Sequence, residues 1–142
     1  MEFPGITKPY VYVGKWRSCF GWHKEDQDLY SINYLHSGSP KVWYSLDMNN
    51  IEKFEQLVKE HFPYEFQQCP EFLRHKTVLF EPSVLLKHGI KLHKIIQMPR
   101  EFVICKAQAY HSGFNVGFNI AEAINFAMPS WLKIAQQGIN FC

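Results

Sequence analysis

The sequence predicts a mainly β domain, a barrel or sandwich of short strands with helical insertions. Three observations carry this. Short runs rich in β-branched and aromatic residues recur along the chain, as in P-Y-V-Y-V (9–13) and K-V-W-Y-S-L (41–46). Glycine and proline punctuate them, as in Ser37-Gly38-Ser39-Pro40. Helical spacing is confined to a few stretches.

The elements follow in order. Alternation predicts a strand over 9–13, ended by Gly14, with Tyr10 and Tyr12 on one face. Residues 16–23 run aromatic, and Phe20 and Trp22 read as strand. After the acidic turn Glu25-Asp26-Gln27-Asp28, residues 29–35 form the next β run, the 37–40 turn follows, and 41–46 is a further strand. From Asp47 the period changes. Ile51, Phe54, Leu57 and Val58 recur at helical spacing, with Lys53, Glu55, Lys59 and Glu60 opposite. Asn49 or Asn50 caps this helix and the pair before Pro63 ends it. Residues 63–76 read as irregular and 77–80 as a short strand. Pro82-Ser83 opens a short helix over 84–88, closed by Gly89. Strands over 93–97 and 101–106, joined at Pro99-Arg100, read as a hairpin. The segments 109–115 and 117–127 precede a closing helix over 129–137.

A chain of 142 residues suits one domain, and 46% hydrophobic with 16% aromatic residues suffices for a packed core. The charge of +2, from 15 basic and 13 acidic side chains, argues against direct, sequence-specific DNA binding through a basic face. No apolar run reaches membrane-spanning length, and residues 1–20 lack the apolar centre of a signal peptide. An intracellular protein without membrane contact is expected. Cys19, Cys69, Cys105 and Cys142 are widely spaced without a CxxC, which favours thiols or metal ligands over disulfides.

The chemistry concentrates at His23-Lys24-Glu25. On a strand, residues i and i+2 share a face, so an imidazole and a carboxylate would project together. With His111 they would form a 2-His-1-carboxylate facial triad for Fe(II), leaving its other side open. H-x-E alone is a weak signal; its company of Asn33, Lys41 and His111 strengthens it. A 2-oxo acid co-substrate needs a buried cation for its remote carboxylate, for which Lys41 is the candidate, with Asn33 donating to the same ligand and Phe20 walling the pocket. His36, His61, His88 and His93 read as structural histidines.

F-G-W-H-K-E-D-Q-D-L-Y-S-I-N-Y-L-H-S-G-S-P-K-V-W-Y, F-L-R-H-K, A-Y-H-S-G-F-N-V-G-F-N and A-E-A-I-N-F-A resemble, in order, the core of the jumonji-C (JmjC) histone lysine demethylases, in particular the JMJD2-type subgroup. The resemblance covers the chain from about Gly5 onward. It implies a double-stranded β-helix, a jelly-roll barrel of the cupin type, and an Fe(II)- and 2-oxoglutarate-dependent dioxygenase. That enzyme would demethylate N-methyl-lysine at position nine or thirty-six of the histone H3 tail, releasing formaldehyde, with chromatin as partner and the nucleus as location. It matches His23, Glu25 and His111 to iron ligands, and Phe20, Asn33 and Lys41 to the 2-oxoglutarate site. Gly5, Tyr12 and Asn125 match the methyl-lysine pocket. Cys69 and His75 match two ligands of a structural zinc, with Cys142 near a third.

The chain departs from the pattern in three ways. A co-substrate-binding tyrosine and the JmjN-like segment lie upstream of Met1 in the family. Ala123 and Ile124 replace a pair that is small and polar in some members. Residues 1–142 are therefore expected to be a single JmjC catalytic domain truncated at both ends. The alternatives are a side-chain hydroxylase of the same chemistry or an inactive chromatin-binding module.

Overall fold

The computed structural model describes residues 2–138. In chain order its elements are β1 (Tyr10–Gly14), β2 (Cys19–His23), β3 (Tyr30–Gly38), β4 (Lys41–Leu46), α1 (Ile51–His61), α2 (Pro63–Gln68), α3 (Pro82–Lys87), β5 (Leu92–Gln97), β6 (Phe102–Cys105), β7 (His111–Asn115), β8 (Asn119–Phe126) and α4 (Trp131–Gln136). Single 3-10 turns lie at Asp26–Asp28, Met48–Asn50 and Phe72–His75.

The strands form two antiparallel four-stranded sheets, ordered β1-β8-β3-β6 and β2-β7-β4-β5. The mainly β composition agrees with expectation, but the double-stranded β-helix barrel does not. Among the described residues no strand pairs across from one sheet to the other, so neither sheet closes, and β1, β6, β2 and β5 remain edges. The sequence pattern could not separate the two cases. Alternation reports which side chains face inward, and a closed barrel and two facing open sheets share that alternation.

Other differences have local causes. The expected 93–97/101–106 hairpin is absent, because β5 pairs with β4 and β6 with β3. The link carries the chain from one sheet to the other. Arg100 N–H donates to the Leu35 carbonyl at 2.6 Å, and Leu35 N–H to that of Glu101 at 3.2 Å, which ties the link to β3. Strand β3 runs through Gly38, leaving Ser39-Pro40 as the connection. Gly38 has φ +94°, and a Cβ there would strike the Phe118 carbonyl. Pro63 starts α2 where an irregular segment was expected, its fixed φ suiting a first helical position. Residues 77–80 form no strand and join neither sheet; the Val78 carbonyl accepts from Trp22 N–H at 2.7 Å. Asp47, not an asparagine, caps the turn before α1 through Asn49 N–H at 2.9 Å. The Asn50 side chain accepts instead from Lys91 N–H.

Apolar packing lies mostly under the helical insertion. Phe54, Leu57 and Val58 of α1 bury against Trp22, Leu46, Phe72, Leu85, Ile90 and Tyr110. Phe54 has no exposed surface and its ring sits 5.4 Å from Trp22 and 5.1 Å from Tyr110. We expect Phe54→Ala to destabilise the fold by about 3–5 kcal/mol, the usual effect of deleting a buried phenyl ring, as read by chemical denaturation. A loss under about 1 kcal/mol would show that α1 is not anchored there. A second cluster is small, Trp43, Val103 and Cys105 with Phe20 against it. Around it lie His23, Asn33, Lys41, Gln97, His111, Asn115 and Asn119, all buried. Buried polar side chains at this density mark a site rather than a core.

Candidate metal centre

His23 and His111 are directly opposite partners across β2 and β7. Between Phe20 and His23 the register slips, with three steps along β2 facing two along β7. This bulge turns both Phe20 and His23 to the same cavity, which plain alternation would forbid. Gly21 sits in the bulge because residues 76–78 approach closely. A Cβ there would strike the Lys76 carbonyl and come within 2.8 Å of that of Val78. The ladder of β2 ends at His23, yet Glu25 keeps an extended backbone (φ −63°, ψ 152°), so the expected pairing of His23 and Glu25 is realised just past the strand end.

The ligand atoms of His23, Glu25 and His111 lie within 4.8 Å of one another, the one such cluster of three among the described residues. His111 Nε2 is 3.4 Å from Glu25 Oε1, and the imidazole centroids are 4.4 Å apart. Each imidazole uses Nδ1 to donate to a backbone carbonyl, His23 to Gly21 at 2.7 Å and His111 to Ala109 at 3.0 Å. Those bonds leave Nε2 of both rings for a metal. Burial, then the neighbouring His111, pushes His23 down to about 4, so it stands neutral as a ligand must. Burial also raises Glu25, but the hydrogen bond and charge of His111, aided by Ser31, outweigh it and hold the carboxyl well below the carboxylate range. For His111, burial opposes the charge while Cys105 and Glu25 favour it, and the net shift is up to about 10. Both shifts point the same way, toward a charged His111–Glu25 pair, and they leave Glu25 the ionised carboxylate a metal ligand must be. Two fixed imidazoles and one ionised carboxylate on one side of an open cavity fit Fe(II).

That cavity has a volume of about 350 Å³. Phe20, Asn33, Lys41, Tyr12 and Asn125 line it with the triad. Lys41 is 6% exposed, and its Nζ donates to Asn115 Oδ1 at 2.6 Å and lies 5.8 Å over the Phe20 ring. Among the described residues it makes no ion pair with a carboxylate, and burial alone lowers it to about 8. Phe20 stacks edge-on against Trp43 at 4.9 Å. Tyr12 is half exposed and raised, chiefly by burial, then by Glu25. Ala123 and Ile124 also face the cavity.

Gly5 does not line it. It is buried at φ +81°, where a Cβ would lie 2.8 Å from the Tyr10 ring, and its carbonyl accepts from Asn125 N–H at 2.7 Å. The proposed zinc set is not assembled among the described residues: Cys69 is half-buried, His75 exposed, and Cys142 lies outside them. Cys19 and Cys105 are free thiols. His36 faces Glu122 at 3.1 Å, His93 lies 3.9 Å from Asp47, and His61 and His88 bond back to carbonyls one helical turn earlier.

Among the cavity residues that escaped the sequence reading are Ser31, Trp43 and Asn115. The signal was available. They stand two before Asn33, two after Lys41 and four after His111, on the same strand faces.

Two antiparallel sheets that set two histidines and one carboxylate beside an open cavity carry the donor arrangement of mononuclear non-haem iron sites. The chain belongs to the JmjC family: residues 10–126 match the model described as JmjC domain, hydroxylase. It is 50% identical over 136 residues to lysine-specific demethylase 4D of Rattus norvegicus, covering 94% of this chain and 27% of that one. It is 48% identical to probable lysine-specific demethylase 4F of Homo sapiens and 47% identical to lysine-specific demethylase 4B of Mus musculus, in each case over 136 residues and 94% of this chain, but 21% and 12% of the relative. The chain thus spans about a quarter or less of the curated relatives it matches.

Proposed function

We propose that this chain is the catalytic domain of an Fe(II)- and 2-oxoglutarate-dependent demethylase acting on N-methyl-lysine of the histone H3 tail in chromatin, in the nucleus. The observation that carries the reading is a facial triad sharing one cavity with a buried lysine that, among the described residues, makes no ion pair with a carboxylate. The names of the relatives, lysine-specific demethylases 4D, 4F and 4B, supply the substrate class.

In this reading His23, Glu25 and His111 hold the iron. Bound there, iron with 2-oxoglutarate and O₂ would supply the oxidation of an N-methyl C–H bond, with 2-oxoglutarate converted to succinate and CO₂. Lys41 and the Asn33 amide bind the remote carboxylate of the co-substrate, and the Lys41 charge finds there the counter-ion it lacks. Phe20 and Trp43 exclude water from the centre. Tyr12 and Asn125 present oxygen to the methylated ammonium at the cavity mouth, and Gly5 fixes Asn125 through its carbonyl. Ala123 and Ile124 offer that cation no hydroxyl, so methylation states are sorted by fit more than by orienting hydrogen bonds. The hydroxymethyl amine breaks down to formaldehyde and the demethylated lysine.

A second reading, hydroxylation of an unmethylated side chain, draws on the family description, which names a hydroxylase. Product mass separates the two. With a trimethyl-lysine H3 peptide, iron and 2-oxoglutarate, the expected result is stepwise loss of methyl mass with formaldehyde released. Gain of one oxygen on an unmethylated peptide, with the methylated one untouched, would establish the second reading instead.

A further inference from the structure

Gln97 ends β5 directly opposite Lys41 and has no exposed surface. It has no role in the function proposed above, yet every polar atom of its side chain is engaged. Its Oε1 accepts from the Trp43 indole N–H at 2.9 Å. Its Nε2 donates to the Glu101 carbonyl at 3.0 Å and to the Asn33 backbone and side-chain oxygens at 3.3 and 3.2 Å.

These partners fix which way the amide points. An indole N–H can only donate and a backbone carbonyl can only accept, so Gln97 has one satisfying orientation. Its Nε2 then faces Asn33, sharing two hydrogens among the Glu101 carbonyl and the Asn33 backbone and side-chain oxygens, and a donor group of Asn33 set 3.2 Å from that NH₂ would be opposed. The consequence reaches the cavity. Asn33 Nδ2 makes no hydrogen bond among the described residues, and Asn33 lines the cavity that holds Lys41. Were Asn33 to turn over, two NH₂ groups would meet at Gln97 and a carbonyl oxygen would face the anion position. We propose that Gln97 is a positioning residue that sets the polarity of the co-substrate site, through the ordered series Trp43 to Gln97 to Asn33, so that Asn33 offers N–H donors beside the Lys41 ammonium.

This rests on the reading that 2-oxoglutarate occupies that end of the cavity. The test is calorimetric titration of 2-oxoglutarate into protein carrying Zn(II), a redox-inert probe, in the triad. Gln97→Glu keeps the shape but replaces the donor with an acceptor, and Gln97→Met removes both functions. Each should weaken binding by about tenfold while leaving metal affinity unchanged. In an Asn33→Ala background the same changes should alter binding by less than about twofold, because the residue they act through is gone.

Equal weakening in both backgrounds would mean a merely structural role and overturn the proposal. Lys41→Ala is the control for the underlying reading. If it leaves binding unchanged, both proposals fall; if it weakens binding while the Gln97 variants do not, only the positioning role falls. Should neither Gln97 variant fold, the side-chain amide signals of Asn33 in Zn(II)-loaded wild-type protein decide by NMR. They should shift on adding 2-oxoglutarate more than those of Gln97, and no Asn33 shift would overturn the assignment.

Discussion

His23→Ala and His111→Ala should each yield a folded chain that retains no iron after anaerobic loading and gel filtration, with turnover below detection. Loss of an outer-shell partner already lowers metal affinity by ~10–100-fold, and loss of one ligand in three exceeds that. The fold should survive because neither side chain supports the helical core. That core is built on Phe54, Leu57, Val58 and Trp22, while the two imidazoles bond to the nearby carbonyls of Gly21 and Ala109 and His111 pairs with Glu25 inside the site. Circular dichroism should be unchanged. Glu25→Ala should behave alike with one difference: it strips His111 of the carboxylate that holds its charge, so the metal-free protein loses the 3.4 Å pair as well as the ligand. Iron retained by any of the three at wild-type stoichiometry would remove that residue from the ligand set.

Lys41→Met should weaken 2-oxoglutarate binding by about 100-fold or more, since it removes a buried, charge-assisted contact. It should also make the unliganded protein more stable at neutral pH. Lowering a lysine from its ordinary 10.5 to about 8 disfavours the charged form on the order of 3 kcal/mol. The sign follows from proton counts. Below pH 8 the folded and unfolded chains both carry the proton and the whole penalty is present. Between about 8 and 10.5 the folded chain releases it first, and stability is regained. The advantage of Lys41→Met over wild type should therefore shrink as pH rises through that window. Ligand binding runs the other way: wild-type affinity for 2-oxoglutarate should fall as pH rises above about 8, and the Lys41→Met profile should be flat there. Isothermal titration across pH reads one effect and denaturant unfolding the other. A flat wild-type profile would separate Lys41 from the co-substrate.

Much of the site was legible because it is written in strand parity. His23 with Glu25, and Lys41 on a run of β-branched and aromatic residues, follow from a period of two, and that period holds in the structure. The same rule, carried further, reaches Ser31, Trp43 and Asn115. Where the backbone breaks the rule, the sequence is silent. The bulge that brings Phe20 to the side of His23 depends on Gly21 meeting residues 76–78, a contact distant along the chain. Sheet membership is a second blind spot. Residues 93–97 and 101–106 look like hairpin arms, and only the bonds of Arg100 and Glu101 to Leu35 send them into different sheets. Closure was invisible for the same reason, since whether β6 or β5 finds a further partner is a property of edges rather than of inward-facing residues. The polarity of Asn33 is subtler still, because it depends on an indole that lies beyond Gln97.

The claim on which the rest stands is that His23, Glu25 and His111 bind one metal ion together. A crystal of the chain soaked anaerobically with Fe(II), with anomalous diffraction recorded at the iron edge, tests it directly. The expected map has a single strong peak within bonding distance of His23 Nε2, His111 Nε2 and a Glu25 carboxylate oxygen, on the side facing the Lys41 cavity. A peak elsewhere, or none while the His111–Glu25 pair stays closed, would contradict the account.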